Sequence, residues 1–385
     1  MRFEFATSNR ILFGPGLIAE VPALAASLGQ RIFFVTDSFE RSKTLREDII
    51  SLGLFVEIYL VKKEPDLASI ILATRNMQAA DSQVVISFGG GSALDTGKAI
   101  AALVQNSGDP LSFLEVVGSG PPLQNPSAPF IAIPTTAGTG SEVTRNAVIF
   151  LPEKRIKVSL RSPYLLPRVA VIDPELAYSL PPSVTASTGL DALTQLIEPF
   201  VCNSPTPLTD TICRDGIVRA ARSLHIACKN GQDASAREDM ALASLFGGLA
   251  LANARLGAVH GMANPIGGYS HAPHGAVCAR LLPLVMETNS HALRTRLPAS
   301  PAIARYTEVA RLLTGDATAS AEAGADWVRQ LCFSLDIKPL KGYGLNPDDF
   351  LAVVAQSQKA NSMKGNPVSL TDTELLAILE SAYAG

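Results

Sequence analysis

Residues 83–98 read QVVISFGGGSALDTGK. Gln83–Phe88 is a nearly unbroken apolar run, the pattern of a strand buried on both faces of a parallel sheet. Three glycines follow, Gly89, Gly90 and Gly91, then Ser92, and a helical pattern runs over Ala93–Gln105. Glycines at such a strand-to-helix turn let backbone N–H groups approach a phosphate closely. The helix N-terminus adds about half a positive charge. A tight turn without a ligand needs fewer glycines than this, so Gly90, Gly91 and Ser92 read as a phosphate cradle. Asp95 and Lys98 lie one turn further in.

The same alternation extends outward. Arg31–Thr36 (RIFFVT) and Phe55–Val61 read as strands. Ser38–Ser51 and Asp66–Ala80 read as helices, with Asp66 a good N-cap after Pro65. Phe130–Ile133 is a further strand. A βαβα rhythm implies a parallel sheet with helices on its faces. The order of motifs differs from the common dinucleotide fingerprint, in which G-x-G-x-x-G follows the first strand and the ribose-binding acid comes later. Here the candidate acid, Asp37, precedes the glycines. Asp37 is also sound chemistry for capping the next helix. Gly118–Pro129 reads as a loop, and Asn146–Phe150 with Ile156–Leu160 as a hairpin. Pro134–Glu142, PTTAGTGSE, leaves a buried strand and is dense in hydroxyls, which suits a cofactor-facing loop.

Beyond Leu180 strand signals fade. Long periodic stretches follow at Val184–Val201, Thr209–Ala227 and Ala234–Ala254. The expected organisation is an α/β nucleotide domain over residues 1–180 and an all-α domain over residues 181–385. Net charge is −3, from 32 basic and 35 acidic residues, so nothing points to a nucleic-acid partner. No apolar run is long enough for a membrane span, and the N-terminus MRFEFATSNR lacks a signal-peptide core. Five widely spaced cysteines form no C-x-x-C pair and read as buried free thiols in a reducing compartment. A cytoplasmic location is expected.

Three of the five histidines, His260, His271 and His274, crowd into HGMANPIGGYSHAPHG. Pro265, Gly267-Gly268 and Pro273 are expected to interrupt this stretch, so that His260 and His274 turn toward one point. Upstream, Asp191 and Gln195 are four apart and share one helix face. Two imidazoles and a carboxylate suit Fe2+ or Zn2+. A lone histidine is more often a packed or surface residue; His225 and His291 fit that description.

The motifs together resemble the iron-containing (group III) alcohol dehydrogenases over essentially the whole chain. The carriers are FGPG at Phe13–Gly16, VTD at Val35–Asp37, GGGSALDTGK at Gly89–Lys98, IPTTAGTGSEVT at Ile133–Thr144, IDPEL at Ile172–Leu176, TGLDALTQLIE at Thr188–Glu198, and VHGMANPIG with PHG within Val259–Gly275. The resemblance implies a dehydroquinate synthase-like fold, NAD (with NADP also open), a divalent metal, an alcohol or aldehyde substrate and a homodimer. It puts Asp37 at the adenosine ribose, where a carboxylate favours NAD. It puts Gly91 and Ser92 at the pyrophosphate, with Gly90 and Asp95 also among the cofactor-binding residues, and Thr135, Thr136, Thr139, Asn146 and Lys157 on the nicotinamide side, where Asn264 is also expected. It puts the metal on Asp191, Gln195, His260 and His274. Two positions depart: the family usually has histidine where this chain has Gln195 and Asn264. His271 is then the candidate proton relay. Two alternatives share the fold: a metal-independent reductase like the maleylacetate reductases, and a lyase like dehydroquinate synthase.

Overall fold

The computed structural model describes residues 2–385, which form two compact units. One comprises Ala6–Thr136 and Gly140–Ala177. The other comprises Tyr178–Gly385 with the short stretch Ala137–Thr139 and the N-terminal residues up to Phe5.

The first unit contains, in chain order, β1 (Ile11–Phe13), α1 (Val21–Leu28), β2 (Arg31–Thr36), α2 (Lys43–Ser51), β3 (Phe55–Leu60), α3 (Leu67–Ala79), β4 (Val84–Gly89), α4 (Gly91–Leu103), β5 (Phe130–Pro134), β6 (Asn146–Leu151), β7 (Ile156–Arg161) and β8 (Val169–Ile172). Six strands form one parallel sheet in the order β1-β8-β5-β4-β2-β3. Alternate residues of β2 explain its apolar run. Ile32 and Phe34 pack toward α1 and α2 with Val21 and Ile49, whereas Phe33 and Val35 pack toward α3 and α4 with Met77 and Leu94. Each fully buried phenylalanine contributes about 2–3 kcal/mol. Asp66 caps α3, accepting from the Ser69 backbone at 2.7 Å in a reciprocal box worth about 1 kcal/mol. β6 and β7 pair antiparallel from Asn146↔Arg161 to Leu151↔Ile156. β1 and β8 went unread in the sequence because three and four residues are too few to show a period.

Chain direction reverses across this sheet. From β2 the chain steps outward to β3; from β4 it steps the other way, to β5. The carboxyl ends of β2 and β4 flank that switch point, where open α/β sheets bind ligands. Asp37 follows β2, and Gly89–Gly91 joins β4 to α4.

The second unit is helical: α5 (Pro182–Val201), α6 (Pro207–Lys229), α7 (Ala234–Asn253), α8 (Ala258–Tyr269), α9 (His274–Arg296), α10 (Ala302–Thr314), α11 (Ala321–Ser334), α12 (Phe350–Lys359) and α13 (Asp372–Ala384). α5 packs against α6, α7 and α9, and every residue of Gly189–Val201 is buried. A helix enclosed on all sides is the natural scaffold for an interior site. Pro265 and Gly267-Gly268 do not break α8, contrary to expectation. Burial of Val259, Met262, Ala263 and Ile266 overrides the interior proline's local cost of about 3 kcal/mol. The break falls at Ser270–Pro273. No single helix among the described residues is long and apolar enough to cross a membrane.

Candidate functional site

Three helices of the second unit converge. α5 supplies Asp191, α8 supplies His260, and α9 supplies His274 at its first residue and Cys278 one turn later. One ligand atom from each of these four residues lies within 4.8 Å of all the others. Asp191 Oδ1 is 3.4 Å from His260 Nε2 and 3.9 Å from His274 Nε2. Cys278 Sγ is 3.9 Å from His260 Nε2 and 3.6 Å from His274 Nε2. A tetrahedron with metal–ligand bonds of 2.0–2.3 Å has edges of about 3.3–3.8 Å. Close packing brings the elements together: a Cβ on Gly275 would lie 2.3 Å from the Ser187 carbonyl oxygen, so the start of α9 rests on the backbone of α5.

The surroundings orient these donors. Glu198 Oε2 lies 2.6 Å from His260 Nδ1, and its Oε1 accepts the Val259 N–H at 2.7 Å. An ionised carboxylate only accepts, so Nδ1 carries the proton and Nε2 keeps its lone pair for the cluster. Gln195 Nε2 donates to Asp191 Oδ2 at 3.0 Å and to the Gly138 carbonyl at 3.4 Å. Both neighbours are acceptors, so the amide must turn its nitrogen toward them. Asp191 Oδ1 is buried and accepts no hydrogen bond, and Gln195 Oε1 is likewise unsatisfied. An orphan carboxylate oxygen beside two imidazoles and a thiol is a site shaped for a cation.

The electrostatics agree. Burial opposes ionisation of Asp191, yet His260, His274 and Cys278 outweigh it and hold the carboxyl below its ordinary range. Burial also opposes a charged His260, but Cys278, Asp191 and Glu198 raise that imidazole's proton affinity well above normal. The groups that raise the proton affinity of His260 equally favour a cation, which would take the place of a proton on Nε2. Burial pushes the Cys278 thiol up to about 12; a bound divalent cation reverses that preference.

The sequence-predicted residues divide. Asp191, His260 and His274 come together. Gln195 stands beside them but offers Asp191 an N–H donor. Cys278, read only as a packed thiol, and Glu198, given no role, both belong to the arrangement. Their signals were present: His274 and Cys278 are four apart, and Asp191, Gln195 and Glu198 follow one stripe at i, i+4, i+7. His271 sits exposed on the α8–α9 connection, its backbone N–H bonded to the Tyr343 carbonyl at 2.8 Å, and outside the cluster. Asn264 is half-buried one turn beyond His260.

In the α/β unit, Asp37 is exposed and accepts the Gly90 N–H at 2.8 Å. It does not cap α2, whose N-cap is Ser42. A Cβ on Gly89 would fall 2.6 Å from Asp37 Oδ2, so glycine is required by close approach. Gly90 is the N-cap of α4, and no side chain caps that helix. Thr136 lies against Gly90, and Thr135 is buried with Arg41 at 3.4 Å from its hydroxyl. Thr139 belongs to the short stretch that packs with the helical unit. Asp95, Asn146 and Lys157 have internal partners. Asp95 accepts from Ser141 at 2.5 Å and from the Val148 N–H at 2.9 Å. Buried Lys98 donates to the Asn146 carbonyl. Lys157 pairs with Glu64 at 2.5 Å.

Residues 8–174 match the family model described as iron-containing alcohol dehydrogenase, and residues 185–383 match the C-terminal domain model of the same family. The chain belongs to the iron-containing alcohol dehydrogenase family. It is 37% identical to alcohol dehydrogenase 4 of Saccharomyces cerevisiae (strain YJM789) over 86% of this chain and 84% of that one. Among solved structures it superposes on an alcohol dehydrogenase from Oenococcus oeni with a TM-score of 0.90 at 33% identity, covering 99% of this chain and 100% of the other. Sulfoacetaldehyde reductase from Bifidobacterium kashiwanohense, solved in complex with NAD+, superposes with a TM-score of 0.85 at 28% identity, covering 100% and 99%. The iron-containing dehydrogenase fold is therefore shared over the whole chain. The chain is an oxidoreductase acting on CH–OH groups, with small-molecule alcohols or aldehydes as its class of substrate.

Proposed function

We propose that this family member interconverts an alcohol and its aldehyde using NAD, with a divalent cation held by Asp191, His260 and His274. The observation that carries this reading is the buried donor cluster with its unsatisfied Asp191 Oδ1. A cation there supplies Lewis acidity toward an alcohol or carbonyl oxygen, and nicotinamide supplies the hydride chemistry. The chain's own residues do the rest. Glu198 fixes the His260 tautomer, and Gln195 holds Asp191 Oδ2 so that Oδ1 faces the imidazoles. Buried apolar neighbours such as Leu190, Val259 and Val277 keep water out.

For the cofactor, Gly91 and Ser92 at the open N-terminus of α4 offer N–H groups to a diphosphate, and Gly90, whose own N–H is bonded to Asp37, lets the ligand approach the backbone closely. Asp37, at the switch point, suits a ribose diol and repels a 2′-phosphate, which supports NAD over NADP. Thr135, Thr136, Thr139 and Asn264 are proposed for the nicotinamide side. Asp95, Asn146 and Lys157 are proposed for the cofactor site as well; Asp95 and Lys157 also bond to Ser141 and Glu64, and Asn146 is held through its main-chain carbonyl. The resemblance also supports a homodimer formed through the N-terminal half, where β1 is an edge strand with a free side. Five buried free cysteines support a reducing, cytoplasmic setting.

The test is a spectrophotometric assay of metal-replete protein against a series of alcohols with NAD+, and of aldehydes with NADH, alongside elemental analysis. Net NADH formation from an alcohol, with one metal per chain that His260→Ala removes, is expected. A metal-free reductase would keep full turnover without the ion, and a lyase would accumulate no NADH. Either result overturns the reading.

A further inference from the structure

We propose that Cys278, as its thiolate, is the fourth protein ligand of the metal site, and that the site consequently takes Zn2+ or Co2+ in preference to Fe2+. This rests on the reading that Asp191, His260 and His274 hold the cation. Four observations carry it. Cys278 Sγ lies on the ligand side of both imidazoles, at 3.9 and 3.6 Å from their Nε2 atoms, matching a tetrahedral edge to sulfur. Asp191 Oδ1, on a residue 1% exposed, completes the same small volume without a hydrogen bond. Gln195, the other side chain available for a fourth position, directs its amide nitrogen to Asp191 Oδ2 and the Gly138 carbonyl; that end of the amide is a donor and cannot ligate, whereas Cys278 Sγ lies within 4.8 Å of the other three donor atoms. Finally, Cys278 is one turn from His274 on the same helix, so a single rigid element presents both donors.

Charge acts at the ligands themselves. Among the atoms that would touch the ion, Asp191 brings one negative charge and a Cys278 thiolate brings the second, whereas Glu198 acts only through His260. On binding, the Sγ–H bond of Cys278 breaks, the proton leaves to solvent, and the sulfur lone pair is donated to the metal. Thiolate is softer than carboxylate or amide oxygen, and softness favours Zn2+ and Co2+ over Fe2+.

Cobalt is the probe. Apoprotein titrated with Co2+ is expected to bind one ion per chain and to develop a sulfur-to-cobalt charge-transfer band. Cys278→Ser removes the band and weakens Co2+ binding by at least about tenfold, and it narrows the preference for Zn2+ over Fe2+ in competition. Gln195→Leu keeps the band. X-ray absorption of the zinc-loaded wild-type protein, which should show one Zn–S contact near 2.3 Å, decides the matter if Cys278→Ser does not fold. One bound Co2+ without a sulfur band, or a zinc shell with only nitrogen and oxygen, overturns the proposal and leaves the Asp191–His260–His274 reading intact. No binding at all, or binding that survives His260→Ala, overturns that underlying reading instead.

Discussion

The two units build their sites by opposite means. In the α/β unit the candidate nucleotide residues sit where strands end, so the sheet topology itself gathers them: Asp37 after β2, Gly90 after β4, Thr135 and Thr136 after β5. Each lies in a short motif, and the backbone does much of the work. In the helical unit the donors come from three helices, and residues 191, 260, 274 and 278 meet only because α5, α8 and α9 pack closely. The backbone contributes position, and side chains contribute all the chemistry. Substitutions in the second site should therefore be far more damaging than single side-chain changes in the first.

The largest effect is expected at His260. His260→Ala removes a donor and strands Glu198, whose Oε2 then loses its 2.6 Å partner. Losing Lewis-acid stabilisation of several kcal/mol implies a fall in kcat/KM of roughly 10³-fold. A buried carboxylate left without its partner costs roughly 3 kcal/mol of stability. Steady-state kinetics and urea unfolding measure the two separately. Retained activity with a lost metal would break the contrast between the units.

A smaller loss is expected one layer out. Glu198→Gln keeps a hydrogen-bond acceptor for His260 but removes the charge that raises its basicity. Metal affinity should fall about 10- to 100-fold, while the α/β unit's NAD binding stays unchanged. Equilibrium metal competition and NADH fluorescence titration are the measurements. An equal effect on both would mean the sites are not independent in the way their construction suggests.

The same contrast explains what could be read from the sequence. The RIFFVT and QVVISF runs, the glycine turn and the Asp66 cap are local, so period and composition revealed them. β1 and β8 escaped because they are short. Within helices, spacing revealed the Asp191–Gln195 pair, and the same rule extends to Glu198 and to the His274–Cys278 pair. Across helices nothing in the sequence shows which faces meet. Cys278 therefore read as a packed thiol, and His271 read as near the site because it is close to His274 in the chain. Pro265 read as a break because local propensity cannot weigh the burial around it. Gln195 was read as a weak ligand; only the two acceptors beside it, Asp191 Oδ2 and the Gly138 carbonyl, fix which way its amide faces.

Beneath the α/β motif lies one buried acid that sharpens the comparison. Burial raises the Glu142 carboxyl from its usual range to about 7, with nearby Lys98 only partly opposing. The folded state thus holds the proton more tightly than the unfolded state. The stability this provides is fully present below about pH 4.5 and is lost as pH rises toward 7. At 1.36 kcal/mol per unit, a carboxyl moved from 4.5 to about 7 loses about 2–3 kcal/mol between pH 5 and pH 8. Glu142→Gln should flatten that part of the stability profile, so that the variant gains on the wild type as pH increases. Urea midpoints at the two pH values test it; a constant difference between variant and wild type contradicts the assignment.

The smallest effect belongs to Asp37, and it tests whether the nucleotide edge depends on backbone more than on side chain. Asp37 is exposed, and its one described bond is to the Gly90 N–H. Asp37→Ala frees that N–H at the open end of α4 and removes a negative charge from the switch point. Loss of a ribose hydrogen bond weakens NAD by about 1 kcal/mol. Relief of like-charge repulsion should improve NADP by a similar amount in this solvent-accessible position. The ratio of kcat/KM values for the two cofactors should then shift toward NADP by roughly thirtyfold, while kcat with saturating NAD changes little. The small size of that shift is the informative part. On the proposed reading the diphosphate is held by main-chain groups at Gly90, Gly91 and Ser92 that no substitution at residue 37 removes, so NAD binding should survive. A collapse of kcat, or a ratio that does not move, would place the ribose elsewhere and remove Asp37 from the nucleotide edge.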